Sequence, residues 1–271
     1  MQSFDRDGVR LCYVEEPGDG PPVLLIHGWC CDHTYFAPQR EHFARRGHRV
    51  VAVDLRGHGA SDRPVQDYPI SAFTDDVAWL ARRLGIGSAL VIGHSMGGIV
   101  AYDIAGRFPG LVSAVVMIDA AVVRPAASRG AITGIIEQLR APDYGEVIGR
   151  YVEAALMLPT DDPERRRTIV DGMASASQHV AVSAMEGLRD YEPDLLEGMV
   201  VAPALYIGAD EMPPRSDIAR LRQLVPQLAF GQTVGSGHFC QLEVPDQVNA
   251  MIDRFLAIQS APSAKDGSRI V

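Results

Sequence analysis

Ala89-Leu90-Val91-Ile92-Gly93-His94-Ser95-Met96-Gly97-Gly98-Ile99-Val100 decides the reading of this chain. Four apolar residues, too few for a helix, run into a turn marked by glycine, and a helix-like stretch follows from 96 to 108. A serine on so tight a strand-to-helix turn is raised above its sheet. Small residues at Gly93 and Gly97 let strand and helix pass closely. The helix N-terminus beneath Ser95 favours the negative charge that builds when a serine attacks a carbonyl. The bare Gly-x-Ser-x-Gly pattern also occurs by chance. With strand, turn and helix all in order, it marks Ser95 as a nucleophile.

Outward from this turn, short apolar runs at 22–27, 50–54, 89–93, 114–118, 204–208 and 230–234 have the length of buried strands. Amphipathic stretches at 37–46, 71–84, 96–108, 216–224 and 245–258 lie between or after them. Strand and helix in alternation imply a parallel sheet covered on both faces. Residues 2–5 and 10–15, separated by Asp7-Gly8, read as an edge hairpin, which brings the expected sheet to eight mostly parallel strands. The alternation stops between 122 and 199, where only helical patterns occur, one opening at Asp161-Asp162-Pro163. Helices inserted between two strands of such a sheet cover the edge where ligands bind, so this segment is expected to be a cap. The expected division is a core of 1–121 and 200–259, a helical cap of 122–199, and a disordered tail of 260–271.

A serine nucleophile needs a base. His238, in Gly235-Ser236-Gly237-His238-Phe239, is alone among the eight histidines in being both glycine-flanked and just past a late strand. His42 and His48 read as solvated, His179 as a surface residue, and His58 as a loop-stabilising one. The oxyanion formed on attack requires backbone N–H donors. Met96, directly after the nucleophile, supplies one, and Trp29, in His27-Gly28-Trp29 after the first parallel strand, supplies the other. Gly28, Cys30, Tyr144 and Tyr151 are the expected substrate-pocket residues, with Met157, Met173 and Met185 adding apolar surface.

His27-Gly28, Asp54-Leu55-Arg56-Gly57-His58-Gly59-Ala60-Ser61, Gly93 to Gly98 and Gly237-His238-Phe239 together resemble the α/β-hydrolase superfamily, over about residues 9 to 257. The resemblance implies a serine hydrolase with a Ser-His-acid triad and an acyl-enzyme, acting on an ester, lactone or carbon–carbon bond. Ser95 in place of an aspartate disfavours the dehalogenase and epoxide-hydrolase branches. Gly28-Trp29-Cys30-Cys31-Asp32-His33 is locally similar to the cofactor-independent hydroxyquinolone dioxygenases, which share the fold and use the histidine to deprotonate substrate. Those carry a substrate-anchoring histidine where this chain has Cys31.

The triad acid has two candidate places. In most of the superfamily it follows the strand before the histidine, here Gly208-Ala209-Asp210-Glu211-Met212-Pro213, which offers Asp210 or Glu211. Other branches, the dioxygenases among them, take it from the strand after the nucleophile helix, here Asp119. The shortness of the 208–213 loop tilts the reading to Asp119 and leaves Asp210 in play.

Composition narrows the function classes. The chain has 271 residues, 47% hydrophobic and 22% charged, with a formal net charge of −9, which argues against nucleic acid because phosphate needs a basic face. No apolar run approaches bilayer length, and the opening Met-Gln-Ser-Phe-Asp lacks a basic tip with an apolar core. Cys12, Cys30, Cys31 and Cys240 form no Cys-x-x-Cys pair, so free thiols and a cytoplasmic location are expected, with no metal and no cofactor. A small-molecule substrate is the expected partner, with no membrane and a homodimer left open. The rival readings are a cofactor-independent dioxygenase of the same fold and a non-catalytic small-molecule receptor.

Overall fold

The computed structural model describes residues 1–125 and 128–260. Eight strands form one sheet: β1 (Gln2–Arg6), β2 (Val9–Glu16), β3 (Gly20–Ile26), β4 (His48–Asp54), β5 (Ala89–His94), β6 (Val112–Ile118), β7 (Ala204–Gly208) and β8 (Leu228–Gln232). Their order is β1-β2-β4-β3-β5-β6-β7-β8. β1 and β2 form the antiparallel hairpin at one edge, β2 pairs antiparallel with β4, and every later pairing is parallel. The central strands are buried along their length, which explains why they read as unbroken apolar runs.

Alternate residues feed two cores. Val23, Leu25, Ile92, Val116 and Ile207 point to the face covered by α1 (Ala37–Ala44) and α10 (Pro245–Ser260). Leu24, Ile26, Val91, Val115 and Met117 point to the other, which packs on α2 (Ile70–Arg83) and α3 (Met96–Arg107). Between β6 and β7 come α4 (Ser128–Leu139), α5 (Tyr144–Ala155), α6 (Pro163–Ala174) and α7 (Gln178–Asp190). Asp162 caps α6 by accepting from the Arg165 N–H at 2.8 Å, with Pro163 in the first turn as the sequence leads one to expect. The remaining helices are α8 (Ile218–Leu224) and the short α9 (Cys240–Glu243).

The last strand sits two residues earlier than its expected place at 230–234. Phe230 is 37% exposed and Val234 72% exposed, so at this edge apolar character does not mark burial. Of the expected tail, Ser260 closes α10 and 261–271 lie outside the described residues. Among the described residues no helix is long and apolar enough to cross a membrane.

Candidate active site

Ser95 sits between β5 and α3 with φ 55° and ψ −120°, a conformation that side chains avoid and that the surroundings must enforce. Two backbone contacts enforce it. A methyl at Gly93 would run into the Gly97 carbonyl, and one at Gly97 into the Ile26 carbonyl of β3. The Ser95 N–H donates to Ile118 O at 2.9 Å, tying the turn to β6, and Ser95 O accepts from the Gly98 N–H at 2.9 Å. Ser95 is therefore placed by main chain from three adjacent strands.

His238, 4% exposed, lies beyond β8, where Gly237-His238 meets the inserted helices. Its N–H donates to Leu156 O at 3.0 Å, and the Gly237 N–H donates to the Asp161 carboxylate at 3.0 Å. Asp161 also accepts from the Leu158 N–H at 2.7 Å, so one buried side chain joins the histidine loop to the segment after α5. The main-chain oxygen of His238 accepts from His94 Nε2 at 2.9 Å, and the two rings lie 4.5 Å apart. Burial, followed by the charge of His238, pushes His94 well below the ordinary histidine range, so it packs as a neutral ring.

Asp119 is the carboxylate that reaches the histidine. It stands at the end of β6 with φ 44°, and its Oδ2 accepts from His238 Nδ1 at 2.6 Å. Its Oδ1 accepts from the Ala209 N–H at 3.0 Å, and Oδ2 also accepts from Arg215 Nε at 2.8 Å. Burial alone would raise the Asp119 pKa; the hydrogen bond and charge of His238, then the charge of Arg215, overcome it and bring it down to about 2. Burial and then Arg215 push His238 below its ordinary value, against the pull of Asp119. At neutral pH the pair is a carboxylate and a neutral imidazole, with Nδ1 engaged and Nε2 left for chemistry.

Asp210 and Glu211 have other partners. Asp210 accepts from the Gly235 N–H at 2.8 Å, and its own N–H donates to Ser236 O at 3.0 Å, so it shapes the histidine loop from behind. Glu211 holds Arg215, with both carboxylate oxygens 2.9 Å from Nη2. Here the structure parts from the expectation that kept Asp210 in play: its side chain is spent on backbone, and Asp119 occupies the imidazole.

Ser95, His238, Asp119, Gly28, Trp29 and Met96 line one cavity of about 660 Å³, counted out to its open mouth. Met96 opens α3, where an N–H has no intrahelical carbonyl to meet. Trp29 is 4% exposed, and its indole N–H donates to Ala181 O of α7 at 2.9 Å while its ring meets Tyr151 edge-on. The rest of the lining is mostly apolar and comes largely from the inserted helices: Ile132, Tyr151, Leu156, Met173, Met185 and Leu188, with Arg124 and Arg215 as its cations. Two expected pocket residues stand elsewhere. Cys30 has φ 55° and lines a separate groove with Asp32, Tyr35 and Arg165, while Cys31 takes the cavity side. Tyr144 begins α5, two turns or about 10 Å before Tyr151, and packs half-buried against the core instead. Met157 is likewise outside the lining.

Three further histidines hold main chain or a neighbouring carboxylate. His27 Nδ1 meets Gly28 O at 2.8 Å and its Nε2 accepts from the Leu55 N–H at 3.1 Å, which fixes the turn before Trp29. His58 Nδ1 meets Arg56 O at 2.9 Å, stabilising its own loop. His42 is held by Asp253 at 3.0 Å and is half-buried rather than solvated. Arg215 and Leu156 go unnoticed in the sequence because neither carries a local motif, and Asp161 reads there only as part of a helix start. Among the described residues no group of three or more His, Cys, Asp or Glu could hold a metal.

A family model described as the alpha/beta hydrolase fold matches residues 21–245. The chain therefore belongs to the α/β-hydrolase fold family, and it is a hydrolase enzyme. It is 28% identical over 256 residues to the AB hydrolase superfamily protein YisY of Bacillus subtilis, covering 90% of this chain and 94% of that one. It is 29% identical over 255 residues to the 2-(acetamidomethylene)succinate hydrolase of Mesorhizobium japonicum, covering 90% of each. In structure it is similar to a thermophilic esterase from Thermogutta terrifontis, solved with malate bound, with a TM-score of 0.84, 25% identity, and coverage of 96% of this chain and 100% of that one.

Proposed function

We propose that this chain is a serine hydrolase that cleaves a small carbonyl compound, an ester or lactone, through an acyl-enzyme. The observation that carries the reading is the 2.6 Å bond from His238 to Asp119 in a cavity shared with Ser95 on its strained turn. Ser95 Oγ attacks the carbonyl carbon while His238 Nε2 takes its proton. The Trp29 and Met96 N–H groups meet the oxyanion. Collapse expels the alcohol, which leaves with the proton from His238. Water then attacks the acyl carbon, gives a proton to His238, and Ser95 departs with it. Asp119 stays ionised throughout, holding the imidazole in its tautomer and offsetting the charge that forms on it.

In this reading α4 to α7 form a cap that selects the substrate. An apolar lining with Arg124 in it suits an acyl group that ends in an acid, and the Mesorhizobium relative is named for a succinate derivative. The partner is a small molecule, and a cytoplasmic location fits the free, buried thiols. The test is Ser95→Ala against an activated ester. Loss of a triad serine costs on the order of 10⁶ in rate, so turnover and fluorophosphonate labelling should vanish with the fold intact. Residual activity of tens of percent overturns the mechanism.

One observation favours a second reading, cofactor-free oxygenation: an acid at the end of β6 is where the hydroxyquinolone dioxygenases carry theirs. Cys31, on the cavity wall where they carry a histidine, speaks against it. Oxygen uptake with a hydroxyquinolone, without turnover of simple esters, would establish it.

A further inference from the structure

Arg215 enters the cavity wall from the segment between β7 and α8, and the mechanism above leaves it idle. Its Nε donates to Asp119 Oδ2 at 2.8 Å, the same oxygen that His238 Nδ1 meets at 2.6 Å. Behind it, Nη2 donates to Glu211, with both oxygens at 2.9 Å, and to Ala155 O, the last residue of α5, at 2.8 Å. Arg215 is 19% exposed in its side chain and Asp119 1%, so water screens the contact weakly. Glu211, Arg215, Asp119 and His238 thus form a row in which formal charge alternates and ends on the proposed base.

A lone triad carboxylate has all its charge to offer an imidazolium. Here a permanent cation already shares the oxygen, so protonating His238 puts a second positive charge beside the first. We propose that Arg215, braced by Glu211, is a positioning residue that sets the basicity of His238 through Asp119 Oδ2, and so fixes the low-pH edge of turnover. The proposal rests on the reading of Ser95, His238 and Asp119 as a triad. Other elements bring titratable or charged groups to the same place: His94 at the end of β5, Cys31 after β3, Arg124 after β6, Tyr151 on α5, Asp161 before α6, and Tyr206 on β7. Arg215, unlike these, donates directly to the acid's own oxygen. The downward push of its charge on His238, second to burial, has the same sign.

The sign follows directly. A general base works only when neutral, so turnover rises as pH passes upward through the His238 pKa. Removing the cation raises that pKa and moves the low-pH edge up. Removing the Glu211 charge leaves Arg215 less compensated and moves the edge down. The experiment measures kcat/KM against pH on a small neutral ester, and the His238 ring titration by NMR in histidine-labelled protein, for Arg215→Met, Arg215→Lys and Glu211→Gln. The expected result is an upward shift of about one pH unit or more in Arg215→Met, a smaller downward shift in Glu211→Gln, and an edge near the wild-type position in Arg215→Lys. A uniform loss of rate with neither edge nor titration displaced overturns the proposal, as do shifts of one sign in both neutralised variants. A defect confined to KM for carboxylate-bearing esters overturns it too, making Arg215 a substrate ligand. Should Arg215→Met fail to fold, Glu211→Gln decides by its direction. The NMR titration needs no turnover, so it decides this point even if Ser95→Ala shows the hydrolase reading to be wrong.

Discussion

Asp161 offers the sharpest test of how the inserted helices and the proposed base are connected. Its carboxylate accepts two backbone N–H groups, Gly237 at 3.0 Å and Leu158 at 2.7 Å, while 5% exposed. The space is closed: a methyl on Gly237 would lie 2.7 Å from the Asp161 carboxylate and 3.0 Å from Leu156 O. Asp161→Ala strands two donors in a buried place. A hydrogen bond to a charged group is worth about 1.5–3 kcal/mol, and part of the loss is recovered by water entering the vacated volume, which leaves about 2–4 kcal/mol. In a domain of this size that is roughly 5–15 °C in Tm. The informative part is kinetic. Gly237 immediately precedes His238, and a displacement of about 1 Å in a catalytic group can cost 10²-fold. We expect kcat on a small activated ester to fall about 10- to 100-fold at 25 °C with KM little changed, and labelling by a fluorophosphonate to slow in parallel, because that reaction needs the same base. Asp161→Asn, which keeps one acceptor and turns an NH₂ on the other donor, should fall between. If Asp161→Ala lowers Tm while kcat stays within a factor of about two, the core alone holds His238 and the reasoning is wrong.

The remaining predictions concern the acid and the pocket. Asp119→Asn should lower kcat by about 10⁴-fold, because the amide stabilises the wrong imidazole tautomer. Asp210→Asn, which keeps an oxygen for the Gly235 N–H, should cost a few-fold at most; steady-state rates of both with unchanged Tm make the comparison, and the reverse order would move the acid to the β7 loop. Met173→Ala and Ile132→Ala should reorder kcat/KM between short and long acyl esters by roughly 10- to 200-fold while the smallest ester still reacts. An equal fall for all chain lengths would shift specificity to Trp29 and Cys31.

What could be read from the chain depends on how local its cause is. β5 and β6 announce themselves because a strand buried on both faces is a short unbroken apolar run bounded by turns. Edge strand β8 does not, since half-exposed residues carry no such contrast. Ser95 is legible because its placement is a backbone event within a few residues. His238 is legible because glycine flanks it at a strand end. The proposed acid is another matter: Asp119 and His238 stand 119 positions apart, and the packing of β6, β7 and β8 side by side brings them together. Asp210, in the loop where most of the superfamily is expected to carry its acid, serves backbone instead. Cys30 and Cys31 are adjacent, and no periodicity tells which one reaches the cavity; Cys30, with φ 55°, lines a separate groove while Cys31 lines the cavity. Arg215 and Asp161 make their contacts between loops and the inserted helices, where neither periodicity nor spacing leaves a trace.

The bare contact of Gly93, Gly97 and the Ile26 carbonyl has a consequence for how such an enzyme can be altered. At Gly97 no side chain separates the serine's helix from β3, so Ser95 and the Met96 N–H form one prefabricated part set by main chain. Of the inserted segment the site asks four fittings: the carbonyls of Ala155, Leu156 and Ala181 and the carboxylate of Asp161. Any set of helices that supplies those four fittings could be exchanged for the present one, giving new substrate ranges on an unaltered reactive centre.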